Sequence, residues 1–271
     1  MIGMSKKLNE LVILIKGAGE MATGVAHRLA SCHFKVCLTE ISEPQAVRRE
    51  VTFSEAVSDR EKEVEEMVAK LVESPEQISE TWKERKIPIL IDPEAKVKDF
   101  LKPNVLIDGI LAKKNLGTKM TDAPLVIGLG PGFLAGEDVH VVIETNRGHN
   151  LGRIIKEGEA EPNTGILGSI AGYTEERVFR APAGGIFKTL KRIGDGVRAN
   201  EKVGMIVNVE VRSRIAGVIR GLLRDGTEAW KGMKLGDVDP RGIKTHCCTI
   251  SDKARTISGG VLQAILERFN G

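Results

Sequence analysis

LVILIKGAGEMATGVAHRL, Leu11–Leu29, sets the expected fold of the chain. The apolar run Leu11–Ile15 reads as a buried parallel strand. Gly17, Gly19 and Ala22 then match the G-x-G-x-x-G/A fingerprint of a dinucleotide-binding βαβ unit. Gly17 permits a tight turn, Gly19 lets the backbone approach a pyrophosphate, and Ala22 lets the helix lie close to the strand. The free N–H groups of that helix start, with Glu20 and Met21 in its first turn, face an anion with the positive end of the helix dipole. A second apolar segment, Phe34–Thr39, ends in Glu40, where such units carry the acid that binds ribose hydroxyls. The candidate binding residues here are Gly17, Gly19, Glu20, Met21 and Glu40.

The 271 residues suffice for two domains. No apolar run approaches the roughly 20 residues that span a bilayer. The N-terminal MIGMSKKLNELVILIK has too short an apolar stretch for a secretion signal, so a cytoplasmic protein is expected, with no membrane partner. Cys32, Cys37, Cys247 and Cys248 form no C-x-x-C pair, which excludes a disulfide scaffold or zinc ribbon and leaves no metal site expected. Cys32 and Cys37 read as buried structural thiols. Residues 177–271 carry 18 Lys+Arg against 9 Asp+Glu, while the remainder carries 22 against 28. That asymmetry suits an anionic ligand or an acidic protein. Nucleic acid is not expected, because aromatics are scarce and the basic residues are scattered. A homo-oligomer is left open.

Further along, Val64, Met67, Val68 and Leu71 lie at helical spacing within the charged segment 59–85, which reads as a helix broken at Pro75 and a second helix over 78–85. IPILID (87–92) and VLIDG (105–109) read as parallel strands around a short helix over 95–101, each with an aspartate at its end. Leu125–Gly128 opens into GLGPGF, Gly128–Phe133, a rigid loop whose N–H groups suit an anion nest. Gly128, Gly130 and Gly132 are therefore candidate binding residues, facing the first glycine turn across one ligand. Asp138, His140 and Glu144 share a strand face by period two and read as a solvated face. Arg147, His149 and Arg153, among glycines, suit a phosphate or carboxylate contact.

Beyond Gly152 short strands and glycines replace helix patterns, and a repeat appears. Gly185–Gly194 recurs as Gly217–Gly226, and Gly204 recurs as Gly236, each after 32 residues. The pattern resembles the biotinyl/lipoyl-type barrel-sandwich hybrid. Met205–Ala216, where carrier domains hold their modified lysine, has none, so covalent biotin or lipoate is not expected. In the tail, Ser258 reads as the cap of a helix whose Gly259 and Gly260 allow close approach. Cys247 and Cys248, beside His246 with Lys244 and Lys253 nearby, are candidate catalytic thiols with a depressed pKa; the alternative is strand packing. The expected fold is α/β. It has a Rossmann-like parallel-sheet domain (1–152), a β domain resembling a barrel-sandwich hybrid (153–243), and a closing strand and helix (244–271).

GLGPGF (128–133), IETNRGHNLGRII (143–155), EPNTG (161–165), GDVDPR (236–241), TISDKAR (249–255) and GGVLQAIL (259–266) together resemble the YqeB-type accessory proteins of selenium-dependent molybdenum hydroxylase systems. The resemblance implies maturation of a molybdenum hydroxylase that carries a labile selenium atom. The hydroxylase or its maturation proteins would be the partners. It leaves the reaction undefined. Joined to the glycine turns, it gives a protein that binds a dinucleotide-type ligand, NAD(P), FAD or molybdopterin dinucleotide, and assists cofactor maturation or insertion. The competing readings are an NAD(P)-dependent oxidoreductase and a non-catalytic scaffold. The first lacks a Tyr-x-x-x-Lys pair, since Arg177 stands four positions after Tyr173.

Overall fold

Strand β1 (Val12–Lys16) leads through the glycine turn into helix α1 (Glu20–Ser31) and on to β2 (Lys35–Glu40), parallel to β1. A computed structural model describes residues 7–165 and 168–270; the segment before Lys7, part of the leader reading above, lies outside the described residues. The chain divides into two compact units. One holds residues 1–44, 52–163 and 250–271, and the other holds 45–51 and 164–249. Among the described residues no helix is long and apolar enough to cross a membrane.

The first unit is built on one nine-stranded mixed sheet. After α2 (Ala56–Asp59) come β3 (Glu61–Val64), β4 (Met67–Leu71), α3 (Ile78–Lys83), β5 (Ile87–Ile91), α4 (Lys98–Leu101) and β6 (Val105–Asp108). Then follow β7 (Leu125–Leu129), β8 (Leu134–Ala135), β9 (Val141–Ile143), β10 (Ile154–Ile155), β11 (Gly158–Glu159) and, at the end of the chain, α5 (Asp252–Phe269). The order is β10-β9-β7-β6-β1-β2-β5-β4-β3, with antiparallel pairing only at the two edges. Sheet building runs outward from β1 through β2 to β5, then resumes on the other side with β6. The strand-order reversal thus falls between β1 and β6. Leu14, Cys37, Leu90, Leu106, Val126 and Val142 line one buried face with Ile78, Val97 and Phe133 packed on it.

Helices α1 and α5 pack side by side. Ala254 sits where a Cβ on Gly24 would project, and Arg28 donates to the Ser258 hydroxyl at 2.7 Å and the Arg255 carbonyl at 3.1 Å. Contacts at 24 with 254 and 28 with 258 advance four residues together, so the helices run parallel and their first turns are neighbours. Ser251, not Ser258, caps α5, accepting from the Ala254 N–H. Ser258, Gly259 and Gly260 lie inside the helix, with Gly260 against the Gly152 carbonyl.

The helix expected over 59–75 is instead the hairpin β3–β4. Parallel pairing of β4 with β5 buries Ala69 and Leu71, and tertiary pairing overrides the helical spacing. The helix expected over 95–101 shortens to Lys98–Leu101, because Ala95 has φ +54°. Of the first two cysteines Cys37 is buried but Cys32 is exposed at the end of α1.

The second unit is an all-β body of two interlocked repeats. Strands β12 (Val178–Arg180), β13 (Gly185–Thr189), β14 (Gly196–Val197) and β15 (Lys202–Ile206) are followed by β16 (Val209–Arg212), β17 (Gly217–Leu222), β18 (Glu228–Ala229) and β19 (Lys234–Asp239). A shift of 32 residues carries β13, β14 and β15 onto β17, β18 and β19. The two sheets, β12-β19-β17-β14 and β16-β15-β13-β18, each take two strands from each repeat. Gly204 and Gly236 occupy matching places, each where a Cβ would strike a phenylalanine ring, Phe187 or Phe179. The core joins both halves through Phe179, Phe187, Val203, Ile206, Ile219 and Leu235.

Candidate functional site

The carboxyl ends of the parallel strands β1, β2, β6, β7 and β9 bring the sequence-expected binding residues of the first unit to one sheet edge. At β1 the chain turns through Gly17, whose φ of +84° suits glycine and whose N–H donates to the Thr39 carbonyl at 2.8 Å. The missing Cβ lets Gly17 lie against the backbone of Gly109 and Ile110, just beyond β6. Gly19 is the N-cap of α1 with extended backbone, φ −66° and ψ 179°. A Cβ built on it meets nothing within 4 Å, so the space in front of this helix start is open. Ala22 packs on Gly109, as the short third position of the fingerprint requires.

Glu40 closes this turn. One carboxylate oxygen accepts from the Ala18 N–H and the other from its neighbour Ile41, both at 2.9 Å. The end of β2 is thereby tied to the glycine turn, and each oxygen keeps a second lone pair for an outside donor. Met21 is buried, which leaves its amide rather than its side chain for a ligand. Beneath the turn lies a group that sequence reading missed in part. Lys16 donates to the Thr118 hydroxyl at 2.7 Å and pairs with Asp108 at 3.2 Å, while Thr118 donates to Asp108 at 2.6 Å. The signal for Lys16 was a lysine ending an otherwise apolar strand. Asp92, the other strand-end aspartate, accepts from the Val97 N–H at 2.8 Å and fixes the approach to α4.

The second glycine loop emerges beyond β7 at the same edge, with β6 between it and the first. Gly130 and Gly132 have φ of +75° and +108°. A Cβ on Gly128 would enter the Phe133 ring, and one on Gly132 would meet the backbone of Lys114. A Cβ on Gly130 would collide with the hydroxyl of Thr145, which follows β9 and is 6% exposed. These glycines are thus demanded by packing as well as by turn geometry.

Asp138, His140 and Glu144 do not form a solvated row. Asp138 accepts from the Leu134 N–H, His140 from Val126, and Glu144 from Asn146 and Glu161. Burial, then Arg268, holds the His140 imidazole below its ordinary pKa, in keeping with a neutral acceptor ring. Among the described residues no three His, Cys, Asp or Glu side chains gather as metal ligands. Arg147 makes its carboxylate contact within the chain, donating twice to Asp252 at 2.7 and 2.9 Å.

The candidate thiols belong to the second unit, on and after a short 3-10 turn (Lys244–Cys247) rather than a strand. Cys247 is buried, with Sγ 3.5 Å from the Ile219 carbonyl, and Cys248 is exposed. Burial pushes the Cys247 thiol up, outweighing Arg48 and Arg220, the reverse of the direction its basic neighbours suggested. Nearby, Asp239 is fully buried and held by both arms of Arg241 at 2.9 and 2.6 Å.

No protein-family model matches the chain. It is similar to a protein of Escherichia coli (strain K12) named "Uncharacterized protein YqeB", 45% identical over 255 residues, covering 94% of this chain and 47% of that one. The chain thus spans about half the length of this curated relative. Among solved structures, the succinylglutamate desuccinylase/aspartoacylase from Rhodobacter sphaeroides is 22% identical over 31% of this chain and 29% of its own, with a TM-score of 0.22. The product-bound ectoine utilization protein EutE (DoeB) from Ruegeria pomeroyi is 11% identical over 84% and 85%, with a TM-score of 0.26. Scores at this level carry no argument about fold or chemistry.

Proposed function

We propose that the first unit is a Rossmann-like domain binding a dinucleotide-type ligand, and that the chain serves the maturation of a selenium-dependent molybdenum hydroxylase. The observation that carries the binding reading is the open face of Gly19 at the start of α1, beside the strand-order reversal. Read as β5-β2-β1-β6-β7-β9, the inner sheet has the 3-2-1-4-5-6 order of dinucleotide-binding folds. The amides of the first turn of α1 would take the pyrophosphate. Glu40 would accept from a ribose hydroxyl, and its charge would repel a 2′-phosphate. Among the candidates this favours NAD, FAD or a pterin dinucleotide over NADP. The second unit fits a barrel-sandwich hybrid used for docking rather than as a covalent carrier, in keeping with its basic charge. The maturation role rests on the motif resemblance.

Calorimetry with NAD, FAD and ADP-ribose tests the site. Gly19→Val should fold, because its backbone is unstrained and its surroundings open, yet lose binding, because the side chain fills the pyrophosphate space. Unchanged affinity in this variant would falsify the site. The maturation role has its own test. Loss of the protein in its native host should leave the hydroxylase folded but without labile selenium. A fully selenium-loaded enzyme there would end that role.

A further inference from the structure

One end of the sheet β16-β15-β13-β18 in the second unit gathers exposed apolar side chains. Antiparallel pairing sets the start of β13, the end of β15, the start of β16 and the end of β18 side by side there. Phe187 pairs with Ile206, Ile206 with Val209, and Gly185 with Ala229. Phe187 and Ile206 belong to the core. Around them Ile186, Val207, Val209 and Trp230 are between 44% and 67% exposed. Val207 leans on Gly185, whose absent Cβ would lie 3.0 Å from Val207 Cγ2. Single exposed apolar residues are ordinary, but four at one sheet end mark an interaction surface.

Val207 is the sharpest signal among them. It opens the two-residue turn between β15 and β16, with φ +53°. A β-branched residue disfavours that left-handed region, where tight hairpins usually place asparagine or glycine. Neither the turn nor exposure to water gains from valine at this tip, whereas a covering partner does.

The charges around the patch select that partner. Lys231 follows Trp230, is exposed, and makes no ion pair among the described residues. Lys188, two residues after Ile186, meets Asp225 only at 3.8 Å. Glu210 on β16 is already paired with Lys202 and Arg212, and Glu228 stands opposite Ile186. The whole unit, residues 45–51 and 164–249, carries 17 Lys+Arg against 10 Asp+Glu. Two copies meeting at this face would oppose like charges, whereas an acidic surface with an apolar centre complements it.

We propose that this sheet end docks an acidic protein surface, with Val207 and Trp230 as apolar anchors and Lys188 and Lys231 as steering charges. This rests on the reading of the second unit as a docking body.

Calorimetry of the full chain against the purified hydroxylase, the partner of that reading, tests it. Val207→Gly is the decisive variant. It relieves the left-handed backbone, so the melting temperature should hold or rise, yet it removes an anchor, so binding should weaken about tenfold. Trp230→Ser should weaken binding at least as much. Lys188→Glu with Lys231→Glu should weaken it too and reduce its salt dependence. Unchanged affinity in either anchor variant overturns the surface while docking by the second unit stands. A wild type that does not bind the hydroxylase overturns the docking reading and the surface with it. A concentration-dependent dimer in sedimentation, abolished by Val207→Gly, would assign the patch to a second copy and overturn the acidic partner.

Discussion

Gly19 and Cys247 show how far a single residue can be judged from sequence. Gly17 and Gly19 were legible because the demands on them are local: a left-handed turn at one, an unobstructed helix start at the other. The Lys16–Asp108–Thr118 group was legible only in part, because it forms through the pairing of β1 with β6, which no local pattern encodes. Cys247 departs from the expected depressed pKa for the converse reason. Neighbouring lysines were visible in sequence, whereas burial, the larger influence on Cys247, was not. In the folded chain Cys32 and Cys248 should alkylate readily at neutral pH, while Cys37 and Cys247 resist until unfolding. Because both buried thiols titrate higher when folded, their contribution to stability is intact below the ordinary thiol value of 9.0 and is lost as pH rises past it. Mass spectrometry after timed iodoacetamide labelling reads this directly. Modification of Cys247 as fast as Cys248 would contradict the burial argument and restore Cys247 as a candidate catalytic thiol. Of the two candidate thiols, the expected pattern leaves Cys248 rather than Cys247 able to meet a selenium or sulfur donor.

At the scale of elements, the β3–β4 hairpin is the instructive failure. EKEVEEMVAKL satisfies a helical spacing and, equally, a two-residue hairpin closed by Val64 and Met67. Nothing within the segment chooses between them; the free edge of β5 does. The turn itself is unfavourable, since Glu65 and Glu66 both have positive φ, 46° and 69°, where glycine or asparagine is usual. Glu65 has a reason to be there. Its carboxylate accepts from the Ile250 N–H at 2.8 Å and from Arg255, and so fixes the entry to α5. Glu66 is exposed and has no such task. Glu66→Gly should therefore stabilise the chain by about 1 kcal/mol, while Glu65→Gly should destabilise it despite relieving the same strain. Urea denaturation of the two variants decides the matter. A loss of stability in Glu66→Gly would mean that the turn conformation is held by something other than the Glu65 anchor.

Across the whole molecule, the repeat in the second unit was legible because glycines recur after 32 residues where a Cβ would collide, as at Gly204 and Gly236, or where φ is positive, as at Gly194 and Gly226. The exchange of strands between repeats was not. Strands β12 and β16 are short, carry no glycine, and pair across the repeat boundary. That exchange places charge inside the body. Asp237 on β19 is buried beside Arg177, which precedes β12, at 3.2 Å, and Lys234 at 2.8 Å. Burial alone would push the Asp237 carboxyl up, but Lys234, Arg177 and Arg220 together outweigh it and hold it below its ordinary value of 3.8. A carboxylate depressed by folding lends stability that is present above that value and is lost as pH falls through it. The second unit should therefore open on acidification below about pH 4. Asp237→Asn should cost about 3 kcal/mol at neutral pH, by leaving Arg177 buried without its counter-charge, and should flatten the acid dependence. Hydrogen exchange followed peptide by peptide assigns the effect, since only peptides from 178–239 should gain exchange. An acid dependence as steep in Asp237→Asn as in the wild type would mean that other carboxylates, such as the buried Asp239 held by Arg241, govern the acid stability of this unit.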